Sequence, residues 1–340
     1  MSTDRPLTAA RAIGYGAVAF AVLIVTILIA ASLGAVRINL LDLLGASDVG
    51  TTAILRDVRL PRVLLAAMLG GALSLAGVVF QALLRNPLAD PYVLGVSGGA
   101  SLGNVIAVFV GLGGSSVLLA GFARPAAALV GAFLTLLLIE RIATVAGRMT
   151  VYTVLLTGAI FNAFSAALIY FLQSIASLDQ LHAIVFSLMG RVPNYGYTTL
   201  GVILIVLLIP TLLLFASARD YNALSLGEDG AAQLGVDVER LKRKTLFLGA
   251  LLTAIAVSVA GMIGFVGLVV PHLLRLWRGP DHRLLIPLSV FGGATFLVIA
   301  DLGARLFIAP GELPVGVVTA LIGGPFFLYL LRRWGARHHV

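Results

Sequence analysis

At 340 residues, 60% hydrophobic and only 11% charged, the chain carries less than half the charge of an ordinary soluble domain, about 25%, and reads as an integral membrane protein. It has no cysteine, which excludes disulfides, thiolate metal sites and cysteine nucleophiles. The formal charge of +8 resides on residues that flank apolar runs, a pattern of membrane orientation and not of nucleic-acid binding.

The first apolar run is uncharged for 25 residues between Arg11 and Arg37. At about 1.5 Å per residue it is long enough to cross about 30 Å of hydrocarbon. The small residues of "ILIAASLGA" resemble a cleavage site, but a signal peptide's apolar region runs only about 7–15 residues, so a retained helix is predicted over 12–34. Further spans are predicted at 62–84, 92–110, 124–144, 153–172, 198–217, 245–262, 284–304 and 313–331. The uncharged run from Thr245 to Leu274 is broken by Gly261, Gly264, Gly267 and Pro271, which predicts a full helix followed by a short one near 266–277. The sum is an all-α polytopic membrane protein of about ten transmembrane helices. With both termini inside, 16 of the 23 basic residues fall on cytoplasmic segments and 7 outside, the expected asymmetry.

The stretch "LLRNPLADPYVLGVSGG", Leu83 to Gly99, interrupts two apolar runs on the inner side. Its Gly95-Val-Ser97-Gly-Gly99 matches a nucleophile-elbow pattern, but a proline-rich break precedes it and a membrane helix follows, so a hydrolase is disfavoured. The histidines show no metal spacing, and no phosphate loop occurs, so any ATP that drives the protein binds another chain. Within the spans Asp301 and Arg305 stand four apart, able to pair on one helical face. The scarcity of central acids speaks against an ion-coupled carrier.

The longest polar inside segment, Arg219 to Lys244, holds 10 of the 38 charged residues. Ser225-Leu-Gly-Glu228 is a capping-box pattern and Gly235 a helix stop, which together predict a short helix with Leu224, Ala231 and Leu234 as an apolar strip for a docking partner. A faint internal echo links Ser74-Leu-Ala-Gly77 with Ser258-Val-Ala-Gly261, each glycine followed ten residues later by a proline (Pro87, Pro271). That echo fits an inverted repeat of helices 2–5 and 7–10, a common transporter plan.

Four segments then resemble a known family, the ten-helix permease subunits of importers for vitamin B12, haem and ferric siderophores: Arg59–Gly103, Leu224–Val236, Gly264–Leu276 and Asp301–Leu331. The resemblance implies a single transmembrane permease domain over 1–340 with a coupling loop at 219–244. It implies a homodimer in the bacterial inner membrane, two cytoplasmic subunits that bind ATP and Mg, and a periplasmic substrate-binding protein. No cofactor in this chain is implied. Coupling to the ATPases would fall on Leu224, Ser225, Leu226, Gly227, Glu228, Ala231, Leu234 and Gly235. Docking of the binding protein would fall on Arg59, Arg62 and Arg305, and the cytoplasmic gate on Asn86, Leu88 and Thr150, Val151 and Tyr152. "MTVYT" departs there from the small hydroxyl residues of the family pattern. The cargo implied is an iron chelate, siderophore or haem, with a corrinoid as the alternative.

Overall fold

The computed structural model describes residues 8–34, 52–112, 117–145, 147–308 and 311–335. Helix α1 (Ala9–Ser32) is followed by a π-helical turn, Ile54–Arg59, that runs into α2 (Leu60–Leu83). The chain is helical on both sides of Pro61, and the wider π turn falls directly before it, where the proline ring and its missing N–H disturb the α ladder. A 3₁₀ turn, Pro91–Leu94, precedes α3 (Val96–Phe109), and α4 (Val117–Ala143) ends in a ribbon of two-residue antiparallel strands, β1 (Thr144–Val145) and β2 (Arg148–Met149). The chain continues through α5 (Val151–Ile175), α6 (Leu178–Leu188), α7 (Tyr197–Ala216), α8 (Ala218–Leu224) and α9 (Glu228–Gln233). It closes with α10 (Val238–Ala260), α11 (Val266–Arg278), α12 (His282–Leu306) and α13 (Val315–Gly335).

Seven of these helices are long and apolar enough to cross a membrane, and α3, α6 and α13 add shorter apolar segments. All ten predicted spans have a helix at their position. Two helices were not anticipated. Helix α6 sits in a stretch read as an outer loop; its signal was local, a capping box in which Ser177 Oγ accepts from the Gln180 amide and Gln180 Oε1 accepts from the Ser177 amide. Helix α8 is only seven residues long, below the reach of periodicity.

Helix α2 is the axis of the bundle and almost wholly buried, with α12, α10, α11 and α1 packed around it. "LGGALSLAG" makes this possible, because small residues bring backbones within van der Waals reach where lipid gives no hydrophobic drive. A Cβ on Gly77 would lie 1.8 Å from the Gly267 carbonyl oxygen, and one on Gly70 would lie 2.2 Å from that of Gly293. Gly77→Ala therefore forces α2 and α11 apart, at a cost of about 1–3 kcal/mol, read as a lower melting temperature in detergent.

At about 1.5 Å per residue, α3 and α11 span only about 20 Å, short of a bilayer core. Irregular backbone makes up the difference in both cases, part of it buried among neighbouring helices; at membrane depth such backbone is tolerated where it packs in protein or lines a water-filled cavity. Both helices start from a left-handed residue, Gly95 (φ 83°) and Phe265 (φ 68°). The echo in the sequence does not map onto these starts, since Gly77 lies inside α2 whereas Gly261 is the residue that ends α10. Its prolines do not correspond, since Pro87 lies in the irregular segment and Pro271 inside α11.

Candidate functional site

Charge count assigns the end holding residues 219–244 to the cytoplasm. There α8 turns Ala218, Tyr221 and Leu224 inward. Tyr221 Oη lies 2.8 Å from Thr245 Oγ1 on α10, and burial pushes its phenol above the ordinary range, so it stays neutral. Asn222 ties α8 to the start of α12: its Nδ2 donates to Asp281 Oδ1 at 2.8 Å, and its Oδ1 accepts from the His282 amide at 2.8 Å. Hydrogen bonds from Arg283, reinforced by Asn222, hold the Asp281 carboxyl down at about 2.

The expected capping box is not the arrangement found. Ser225 closes α8, its hydroxyl donating to the Asn222 carbonyl at 2.6 Å, and Gly227 (φ 104°) is the residue that precedes α9. Glu228 is drawn away by a stronger partner, the ammonium of Lys242 at 2.6 Å. Gly235 (φ 84°) does end α9 in the left-handed state that favours glycine. The apolar strip is also redistributed. Leu224 and Ala231 are buried, whereas Leu226 (71% exposed) and Leu234 (64%) stand out at the surface.

This segment is bonded to one of the two stretches expected to form the gate and lies beside the other. Lys242 is buried, and its Nζ donates to Glu228, to Glu239 at 3.0 Å and to the Met149 carbonyl at 3.0 Å. Glu239 Oε2 in turn accepts from the Met149 amide at 2.8 Å. Met149 directly precedes Thr150, which caps α5 and donates to Thr153 Oγ1 at 2.8 Å. Val151 is half-buried and Tyr152 is 76% exposed. On the other side Gly227 comes close to Arg85: a Cβ on it would lie 3.5 Å from Arg85 Nη1. Arg85 itself takes a positive φ of 47° and leads into Asn86, whose Oδ1 accepts from the Leu88 amide at 2.9 Å.

The residues that anchor the stretch between α2 and α3 were not anticipated from the sequence. Gln81 Nε2 donates to the Gly267 carbonyl at 3.2 Å, and Asp90 accepts from the amides of Tyr92 and Phe265. Tyr92 Oη accepts from the Ile263 amide at 2.8 Å, and the Tyr92 carbonyl accepts from Asn162 Nδ2 at 2.9 Å. The breaks before α3 and α11 are therefore bolted to each other and to α5. A signal existed in the polar residues themselves, since Gln81, Asp90 and Asn162 in apolar surroundings demand partners. Ser97 is buried with its hydroxyl 3.3 Å from the Tyr92 carbonyl, a helix-start contact and no exposed nucleophile.

At the outer end two of the three predicted arginines are buried and the third, Arg62, is half-buried. Arg59 and Arg305 are each 8% exposed. Arg59 donates to the carbonyls of Ala31 and Ser32, and Arg305 to those of Ala30 and Leu33, so both cap the C-terminus of α1, where cations are favoured. Asp301 is fully buried and takes Arg305 Nε at 3.0 Å and Arg62 Nη2 at 3.0 Å. Arg62 reaches on to Glu312 at 2.8 Å. The i,i+4 pairing of Asp301 and Arg305 is as anticipated; the capture of Arg62 and of α1 by the same cluster is not. Among the described residues, Arg56 and Arg191 are outer arginines that are exposed.

Residues 22–333 match the model of the FecCD transport family. Across 293 residues the chain is 46% identical to the uncharacterized ABC transporter permease protein YvrB of Bacillus subtilis, covering 85% of this chain and 82% of that one. It is 43% identical to the cobalamin import system permease protein BtuC of Halobacterium salinarum (82% and 73% covered). It is 42% identical to the hemin transport system permease protein HmuU of Yersinia pestis (82% of each). Among solved structures, a metal-chelate type ABC transporter in an inward-facing conformation superposes with a TM-score of 0.84 at 30% identity, covering 96% of this chain and all of that one.

Proposed function

The chain belongs to the FecCD transport family, and from that premise we propose that it is the permease subunit of an ATP-driven importer that carries a metal chelate across the inner membrane into the cytoplasm. The observation that supports this most is the α8–α9 segment: two exposed leucines on an element joined through Glu228 and Lys242 to Met149 and lying beside Arg85. A partner that moves Leu226 and Leu234 moves Arg85 through Gly227 and Met149 through Glu228 and Lys242. Rigid-body displacement of a packed element is a common way to switch a bundle between two states.

In this reading two copies enclose the pathway, two ATP-binding subunits dock at α8–α9 and hold ATP and Mg, and the reaction of ATP takes place on them. An outer binding protein delivers the cargo. Its contact falls on exposed Arg56 and Arg191 with Arg62 at their edge, and Arg59 and Arg305 support that face from below; charges of this kind set encounter rate and orientation. Relatives named for cobalamin and hemin are similar to nearly the same degree, and both of those cargoes are metal chelates of large macrocycles. The cargo is proposed to be haem or a ferric siderophore, with cobalamin the alternative. Reconstituted complex with its binding protein, offered haem, ferric siderophores and cobalamin in turn, should raise its ATPase rate with one of the three. No response to any chelate would contradict the reading.

Asn86 and Leu88, with Thr150 to Tyr152, are proposed to form the inner seal. Asn86→Gly with Leu88→Ala removes the Asx turn and one apolar side chain. The expected result is leak of preloaded cargo from proteoliposomes without ATP; an unchanged seal would reduce the segment to a turn.

A further inference from the structure

A cavity of about 310 Å³ lies at the cytoplasmic end between α2, α8 and α11. Its floor is Gln81, Tyr221, His272 and His282, all buried or nearly so, and its mouth is Arg85, Ser225, Leu276 and Pro280. Arg275 lies between the two, half-buried. No aspartate or glutamate lines it; the adjoining Asp281 is engaged by Arg283 and Asn222. Among the described residues neither Arg85 nor Arg275 makes an ion pair, although Arg275 is held away from water. The void is many times the roughly 30 Å³ that one water occupies in the liquid.

Two buried acceptors also lack partners among the described residues, Gln81 Oε1 and His282 Nε2. His282 Nδ1 lies 2.8 Å from Asn222 Oδ1, so Nδ1 carries the proton and Nε2 presents a lone pair. The cavity therefore asks for negative charge and for a proton donor at once. A carboxylate supplies only the first. A phosphate or phosphomonoester with one P–OH supplies both: its anionic oxygens suit the guanidinium forks of Arg85 and Arg275, and its hydroxyl donates to a bare acceptor.

We propose that this cavity binds a phosphate group, clamping the coupling segment (Tyr221, Ser225) to the gate segment (Arg85) and to α11. The phosphate has two sources. Leu273, Leu276 and Trp277 expose apolar surface beside the mouth, and Arg278 stacks on Trp277 and Tyr15, an aromatic anchor of the interfacial kind, so a phosphatidic-acid headgroup can reach it; soluble phosphate is the other.

The test uses full-length permease in detergent, with inorganic phosphate followed by phosphorus NMR and bound phosphatidic acid followed by native mass spectrometry. Arg275→Gln should weaken phosphate binding about tenfold, one lost charge-assisted contact, and Arg85→Gln likewise, whereas Arg275→Lys retains part of it. Arg141→Gln, on α4 and outside the cavity, should bind as the parent does, and melting curves confirm that all variants are folded. If phosphatidic acid competes with phosphate while phosphatidylcholine does not, the lipid is a source; if only soluble phosphate binds, the site is for the free anion. Phosphate binding that is absent from the parent, or untouched by both Arg275→Gln and Arg85→Gln, overturns the proposal. So does a result in which Arg275→Gln affects only the affinity of an added ATP-binding subunit, which would assign the cavity to a side chain of that partner.

Discussion

Replacing Leu226 and Leu234 together with glutamate should abolish ATP-driven transport and leave a folded, membrane-inserted protein. Both side chains stand in solvent on an otherwise polar surface, so their charge changes cost the isolated chain little. Inside an interface each would bury a carboxylate without a partner. Apolar anchors of this kind are worth about 2 kcal/mol or more apiece, so the pair should lower affinity for the ATP-binding subunit by at least about a hundredfold. Leu224→Glu is the contrasting variant. Leu224 is buried against the bundle, so its replacement should lower the melting temperature and the yield, not merely uncouple the protein. Pull-down of the ATP-binding subunit with each variant, alongside a melting curve, separates the two effects. Wild-type association of the double variant would show that coupling lies elsewhere.

Asp301→Ala should cost about 3–5 kcal/mol, enough to prevent stable assembly of the outer half of the bundle. The carboxylate accepts from both Arg62 and Arg305 at 3.0 Å, and removing it leaves two guanidinium groups facing each other with little access to water. Arg305 would lose its restraint, and with it the cap on the C-terminus of α1. Asp301→Asn keeps one acceptor and should fall between. For the same reason Arg59→Glu and Arg305→Glu report on folding before they report on any partner. Charge reversal at Arg56 and Arg191 is the cleaner probe of docking, and it should weaken binding of the outer protein most at low salt. The measurement for Asp301 is thermal unfolding in detergent; a shift of only a degree or two would show that the cluster is not structural.

The helical membrane architecture was legible because hydrophobic length is nearly sufficient for it: every predicted span has its helix. What escaped were features set by contact and not by pattern. Helix α6 was masked by its position between a predicted span and the proline-containing "RVPNYGY". Ser225 and Glu228 had the right spacing for a capping box, but Lys242, 14 residues further on, competes for the glutamate and wins by burial. The exposure of Leu226 was not legible because it lies in the turn between α8 and α9, where helical periodicity gives no face. Arg59 and Arg305 were read as surface charges because the carbonyls that receive them belong to α1, nearly 30 and more than 270 residues away in sequence. The stretch after Leu83 was legible as an interruption between two helices, while its anchors on Ile263, Phe265 and Gly267 lay in the other half of the chain.

The most direct measurement is chelate uptake into proteoliposomes holding the permease with its ATP-binding subunits and cargo-loaded binding protein. Uptake should require ATP on the side of those subunits, persist when ionophores collapse proton and sodium gradients, and vanish with Leu226→Glu/Leu234→Glu. Uptake by the permease alone, driven by an ion gradient and indifferent to the two leucines, would contradict it.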